Sequence, residues 1–204
     1  MQRLQAAIFK GATAAGLIEA RPEASVDSTG LDSQYVSRHF LMRQGKRTQR
    51  YRNWTKLTVV CHHCSHLIAS AVVSVGPDND APYFAPAVSQ AVEHLPVDRL
   101  MGDAAYDSEE HHRLCRQDLG IRSTAIPIND RGRPCLPKTR YRREMAQRFP
   151  HRQYHQRWQV ESVFSRLKRR LGSALRSRRN ESRAVECLFR ILAYNLMILL
   201  FTCQ

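Results

Sequence analysis

The period of the apolar positions changes several times along the chain, and each change marks an element. Leu4, Ile8, Ala12 and Ala15 recur at helical spacing, so residues 1–19 are expected to form a helix that Pro22 turns away from. Residues 24–30 then read as a short buried strand ending on Asp27. Two runs rich in β-branched residues, 56–61 and 66–75, flank a short polar turn and predict a hairpin that Gly76 and Pro77 stop. Phe84, Val88, Ala91, Val92 and Leu95 share one side of a crossover helix, and residues 99–103 form the next short strand. Ser108 is placed to cap a helix with Glu109 and Glu110 in its first turn, running to Leu119 and Gly120. Residues 124–128 suit an edge strand, which tolerates Pro127. Helices are expected over 141–149, 151–171 and 181–203, whereas 129–140 carries no regular pattern. This order predicts an α/β fold, a mixed sheet with helices on both faces, in a chain whose length requires no second core.

Charge adds what periodicity cannot. Residues 131–190 hold 16 Arg and 2 Lys against 4 Glu, so the formal net charge of +14 arises from that segment alone. A concentrated positive field points to a polyanion, and arginine, which supplies 27 of the 32 basic residues, forks onto phosphate better than lysine does. Between Ser33 and Pro77 there is no acidic residue, while Arg38, Arg43, Lys46, Arg47, Arg50, Arg52 and Lys56 line a connection able to track a phosphate backbone. The six cysteines, at 61, 64, 115, 135, 187 and 203, form no even framework and no secretory signal opens the chain, so free thiols and a cytoplasmic setting are expected. The most apolar stretch, 191–203, falls short of the roughly 20 residues that span a bilayer and suits a buried terminal helix. No membrane anchor is expected.

Phosphodiester chemistry needs charge neutralisation and an activated oxygen, which two divalent ions about 4 Å apart supply when carboxylates hold them. Asp27 and Asp103, each at the predicted C-terminal end of a strand, offer two such groups, since ligands of open α/β sheets collect there. A third comes from residues 154–168. At roughly 100° per residue, Tyr154, Arg157, Glu161 and Lys168 fall within about 60° of one another around a helix. Val160, Val163, Phe164, Leu167 and Leu171 form a separate stripe that can bury in the core.

The spacing Tyr, two residues, Arg, three residues, Glu, six residues, Lys resembles the signature of the DDE transposases of bacterial insertion sequences, and all four positions match. Val26-Asp27-Ser28-Thr29-Gly30 is similar to the first-acid motif of that family, and Gly102-Asp103-Ala104-Ala105-Tyr106-Asp107-Ser108 to the second. The resemblance covers about residues 24–200. It implies a ribonuclease-H-like fold and a Mg²⁺-dependent enzyme, with Mn²⁺ able to substitute, that nicks transposon ends and joins the freed 3′-hydroxyl to target DNA. Asp27, Asp103 and Glu161 would be the metal ligands, and Tyr154, Arg157 and Lys168 would hold phosphates of double-stranded DNA. Synapsis of two ends implies a homodimer. Only 26 residues precede Asp27, so 1–23 is expected to be the remnant of a longer N-terminal region and 24–204 the catalytic domain. Glu161 follows Asp103 by 58 positions, too few for the inserted subdomain of some relatives.

Other readings stand beside these. The alternatives in function are a non-catalytic DNA-binding remnant and a host nuclease on the same fold. Asp107 rivals Asp103, although it reads as part of the turn into the next helix. Cys61-His62-His63-Cys64, with His66 nearby, carries half of a zinc spacing without a second pair, so it reads as an exposed turn. His111, His112, His151 and His155 read as surface residues. Trp158 is expected to pack on another helix or, less simply, to stack on a base.

Overall fold

A computed structural model describes residues 2–33, 54–130, 132 and 136–202 of the chain. Helix α1 (Gln2–Ala14) precedes strand β1 (Glu23–Ser33), the hairpin β2 (Trp54–His62) and β3 (Ile68–Gly76), helix α2 (Ala81–Val92) and strand β4 (Arg99–Gly102). Helix α3 (Glu109–Arg113) runs on as one π turn (Leu114–Asp118) before strand β5 (Ser123–Ala125). Helices α4 (Arg140–Gln147), α5 (His151–Tyr154) and α6 (Trp158–Leu171), the two-residue strand β6 (Ala174–Leu175) and helix α7 (Asn180–Thr202) complete it. The basic connection ahead of β2 lies outside the described residues except for Lys56, which pairs with Asp80 across a close contact.

The sheet runs β3-β2-β1-β4-β5, and in that path β2 alone is antiparallel to its neighbours. This is the ribonuclease-H-like mixed sheet that the resemblance implies. Successive side chains of a strand point to opposite faces, so β1 sorts the helices. On one face, Ser28 meets Thr58 (2.7 Å) and Tyr106 (3.0 Å), whose ring packs on Phe84 of α2. On the other, Asp27 meets Arg157, the residue just before α6. Helix α7 lies against β3, β2 and α6 and packs on α1, whose Ile8, Phe9 and Ala12 enter the same core as Val26, Val59 and Leu100.

Edge strand β3 is capped at its first residue. The Asn195 side chain accepts from the Ile68 N–H at 2.9 Å and donates to the Ile68 carbonyl at 2.8 Å, which satisfies two backbone groups that an open edge leaves unpaired. Gln5 donates to the same carbonyl.

Several expectations are corrected. Strand β1 extends past Asp27, because β2 pairs with it as far as Leu31 and β6 takes up Asp32 and Ser33. Asp27 is therefore mid-strand, though just beyond its last pairing with β4, Val26 to Gly102. The helix expected over 151–171 is broken by a 3-10 turn at His155–Arg157. Helix α7 buries only one face: Ile191, Tyr194 and Ile198 are core, whereas Leu200 and Phe201 are 68% and 67% exposed. By length and composition alone, Asn180–Phe201 could cross a membrane, which the 13-residue apolar run did not indicate.

His112 is buried rather than at the surface, with Nδ1 2.7 Å from Thr124 Oγ1. Burial pushes its imidazole down to about 4. Below about pH 6.5 the unfolded chain takes up a proton that native His112 refuses until about pH 4, so stability drains away as pH falls through that window, by up to about 3 kcal/mol. Urea unfolding followed from about pH 7 to about pH 4.5 should fall more steeply for the wild type than for His112→Asn. Equal slopes would remove His112 as the cause.

Candidate active site

Parallel pairing places the two aspartates side by side. Beyond the Val26–Gly102 pair, the next residues on the two strands are Asp27 and Asp103. Gly102 fits a tight place there, since a Cβ would come within 3.2 Å of Val26 Cγ1 and 3.4 Å of Ile126 Cγ1 and the Tyr106 ring. Asp103 then turns the chain by accepting from the Ala104 N–H at 2.6 Å, and Asp27 accepts from the Ser28 N–H at 2.8 Å. The Tyr106 to Ser28 bond on the opposite face ties together the residues that follow the two acids.

Helix α6 brings the third carboxylate. Val160, Val163, Phe164 and Leu167 bury as the stripe predicts, which leaves Glu161 on the exposed side of the helix. Arg157, at its start, donates to Asp27 Oδ2 at 2.9 Å and reaches Glu161 Oε1 at 3.3 Å. Glu161 itself is 63% exposed, free to change rotamer. Burial pushes the Asp27 carboxyl above the usual carboxylate range, and the charge of Asp103 adds to that, against the Ser28 N–H and Arg157. Burial works against the Arg157 charge, but Asp27, Tyr154, Asp103 and Glu161 outweigh it and raise the guanidinium. Burial likewise raises the half-buried Tyr154 phenol, which also interacts with Arg157, Asp103 and Asp27.

Five of the six sequence-predicted residues, Asp27, Asp103, Tyr154, Arg157 and Glu161, thus form one electrostatic cluster. Lys168 sits farther along α6, about 10 Å of helix rise beyond Glu161. The donor set is all hard oxygen, which suits Mg²⁺ or Mn²⁺. Two partly buried carboxylates, one within β1 and one just after β4, need a counter-cation, and Arg157 fills that role toward Asp27. As placed, the three carboxylates do not all come within 4.8 Å of one another among the described residues, because Arg157 stands between Asp27 and Glu161.

Asp107 is committed elsewhere. Its buried carboxylate takes both Nε (2.8 Å) and Nη2 (2.7 Å) of Arg142 and the Asn129 N–H at 2.8 Å. The neighbouring Ser108 caps α3 by accepting from the Glu110 N–H, and Glu109 receives the Tyr141 and Arg142 N–H groups that open α4. The turn after the second acid is therefore a structural joint between α3 and α4.

A model of the transposase DDE domain matches residues 20–196. No curated protein matches the sequence. Among solved structures, the catalytic core domain of BIV integrase is similar at 19% identity and a TM-score of 0.43, over 83% of this chain and 80% of that one. The family match spans most of the sequence and includes both strand acids and the helix acid, and the chain belongs to the transposase DDE domain family.

Proposed function

We propose that this chain cleaves DNA strands at the ends of an insertion sequence and transfers them to target DNA, using Asp27, Asp103 and Glu161. Transposition-related processing of DNA is the chemistry of the family. The observation that carries it is the side-by-side placement of Asp27 and Asp103 with Glu161 held over them through Arg157. The three carboxylates would hold Mg²⁺, or Mn²⁺ in its place, and such ions activate the attacking oxygen and stabilise the leaving one.

The protein's own groups do the rest. When a phosphate enters, Arg157 exchanges its carboxylate partners for phosphate oxygens, and Tyr154 holds another from the same corner of the site. Lys168 engages the backbone farther along the duplex. The arginines of 131–190 supply the sequence-independent attraction, so terminal-repeat recognition must come from other contacts. Two copies, one on each end, would synapse them in the cytoplasm.

The test pairs two substrates. Supercoiled plasmid with Mn²⁺ should be nicked, and a short duplex with a free 3′-hydroxyl should be joined to target DNA. Nicking without joined product would leave a nuclease on this fold. Salt-sensitive binding with neither product would leave a DNA-binding remnant.

A further inference from the structure

The hairpin turn between β2 and β3 is not the exposed loop that its sequence suggests. The His62 and His63 side chains are buried, and Cys61 is enclosed in β2, leaving Cys64 at the surface. Facing them is Glu19, 45 positions before Cys64, in the segment that links α1 to β1. The Glu19 carboxylate lies 3.4 Å from Cys64 Sγ through Oε1 and 2.9 Å from His62 Nε2 through Oε2. Among the described residues, these ligand atoms form a set of three that all lie within 4.8 Å of one another.

His62 supplies a second, independent sign. Its side chain is fully buried, yet Nε2 has no hydrogen-bond partner, since the nearby Glu19 oxygen falls outside hydrogen-bond geometry. A buried imidazole nitrogen 2.9 Å from a carboxylate that also meets a thiol presents three donor types that a single cation can draw together. The other ring nitrogen is already oriented: Nδ1 lies 2.8 Å from Ser65 Oγ, the kind of outer partner that fixes the tautomer of a metal-binding histidine. The turn is held from both sides by His66 N–H to His62 O (3.0 Å) and His62 N–H to Leu67 O (2.9 Å).

We infer that Glu19, His62 and Cys64 form a zinc site distinct from the three-carboxylate cluster, with a water in the fourth position. A tetrahedral Zn²⁺ with bonds of about 2.0–2.3 Å sets its ligands about 3.3–3.8 Å apart, so the observed separations need only side-chain adjustment. Thiolate, imidazole and carboxylate together favour Zn²⁺ over Mg²⁺, which keeps the two sites chemically separate. The bound ion would clamp the α1–β1 link to the hairpin at the end of the sheet where β1 begins. Because the ligands come from segments distant in sequence, the ion binds the folded chain in preference to the unfolded one and raises its melting temperature.

The experiment titrates Zn²⁺, and separately Co²⁺, into the full chain in excess Mg²⁺. Expected are one equivalent bound at micromolar affinity or tighter, a near-ultraviolet thiolate-to-cobalt band, and a rise in melting temperature with Zn²⁺. Cys64→Ser should abolish the band, and both it and Glu19→Gln should weaken binding tenfold or more. Neither residue is in the core, so both variants should fold. Asp27→Asn should bind Zn²⁺ as the wild type does. An undiminished band in Cys64→Ser would overturn the site, as would a wild type that binds no Zn²⁺ under these conditions.

Discussion

Asp27→Asn and Asp103→Asn are each expected to lower Mn²⁺-dependent nicking by on the order of 10³-fold or more, because each removes a charge that no neighbour replaces. The fold should survive. Asn keeps the volume and still accepts the Ser28 or Ala104 N–H. Duplex binding should change little, since the positive field comes from 131–190 and a lost carboxylate only reduces repulsion. Asp107→Asn provides the contrast. It breaks a buried pair with Arg142, so it should cost roughly 3 kcal/mol of stability while each folded molecule keeps near-normal nicking. Assays of nicking, duplex binding and urea unfolding on the three variants separate the two kinds of aspartate. If Asp107→Asn lost nicking and Asp103→Asn kept it, the assignment of the second acid would have to be reversed.

Arg157→Gln should have the next largest effect, and in two directions. Arg157 is the counter-charge of Asp27 and Glu161 in the structure, and in the proposed reaction it must let them go. Its loss should leave Mn²⁺ affinity without DNA unchanged or higher, because a competitor for the carboxylates is gone. Nicking should fall by about 100-fold, since a phosphate clamp at the reacting position is missing. The slope of log affinity against log salt should drop by about one, the signature of one lost phosphate contact. Unaltered duplex affinity and slope would reduce Arg157 to an internal counter-ion.

Much of this fold is legible in the sequence where a single period dominates. The β-branched runs of the hairpin, the stripe of α6 and the cap at Ser108 all reflect local physics that tertiary packing reinforces. Strand β1 is harder, because Ser25, Asp27, Ser28 and Thr29 lack a strand's apolar alternation; its length is set by neighbours on both sides. Strand β6 has two residues and exists only through its pairing with β1. The three proposed acids are legible as candidates because motif spacing singles them out, and the pairing of β1 with β4 sets two of them side by side. Their coupling through Arg157 was readable only in part, since helical phase puts Arg157 beside Glu161 but says nothing of Asp27. The Glu19, His62 and Cys64 set is invisible in spacing, because one ligand comes from a separate segment. His112 misled for a related reason: a polar residue becomes core when Thr124 on the adjacent strand receives it.

Helix α6 is fastened to one strand at both ends. Arg157 pins its start to Asp27, and Gly172, with a positive φ of 91°, turns its end into β6 beside Asp32 and Ser33. Arg190 holds that turn through the carbonyls of Gly172 (2.6 Å) and Ala174 (2.8 Å). The helix rises about 21 Å and the strand between the two fastenings runs about 17 Å, so helix and strand act as two sides of a frame of fixed dimensions. One inserted residue early in α6 would swing Glu161 by roughly 100° or drag β6 off β1. Changes of chain length in this frame are thus changes in the geometry of the proposed site, and those that the protein can tolerate belong outside it.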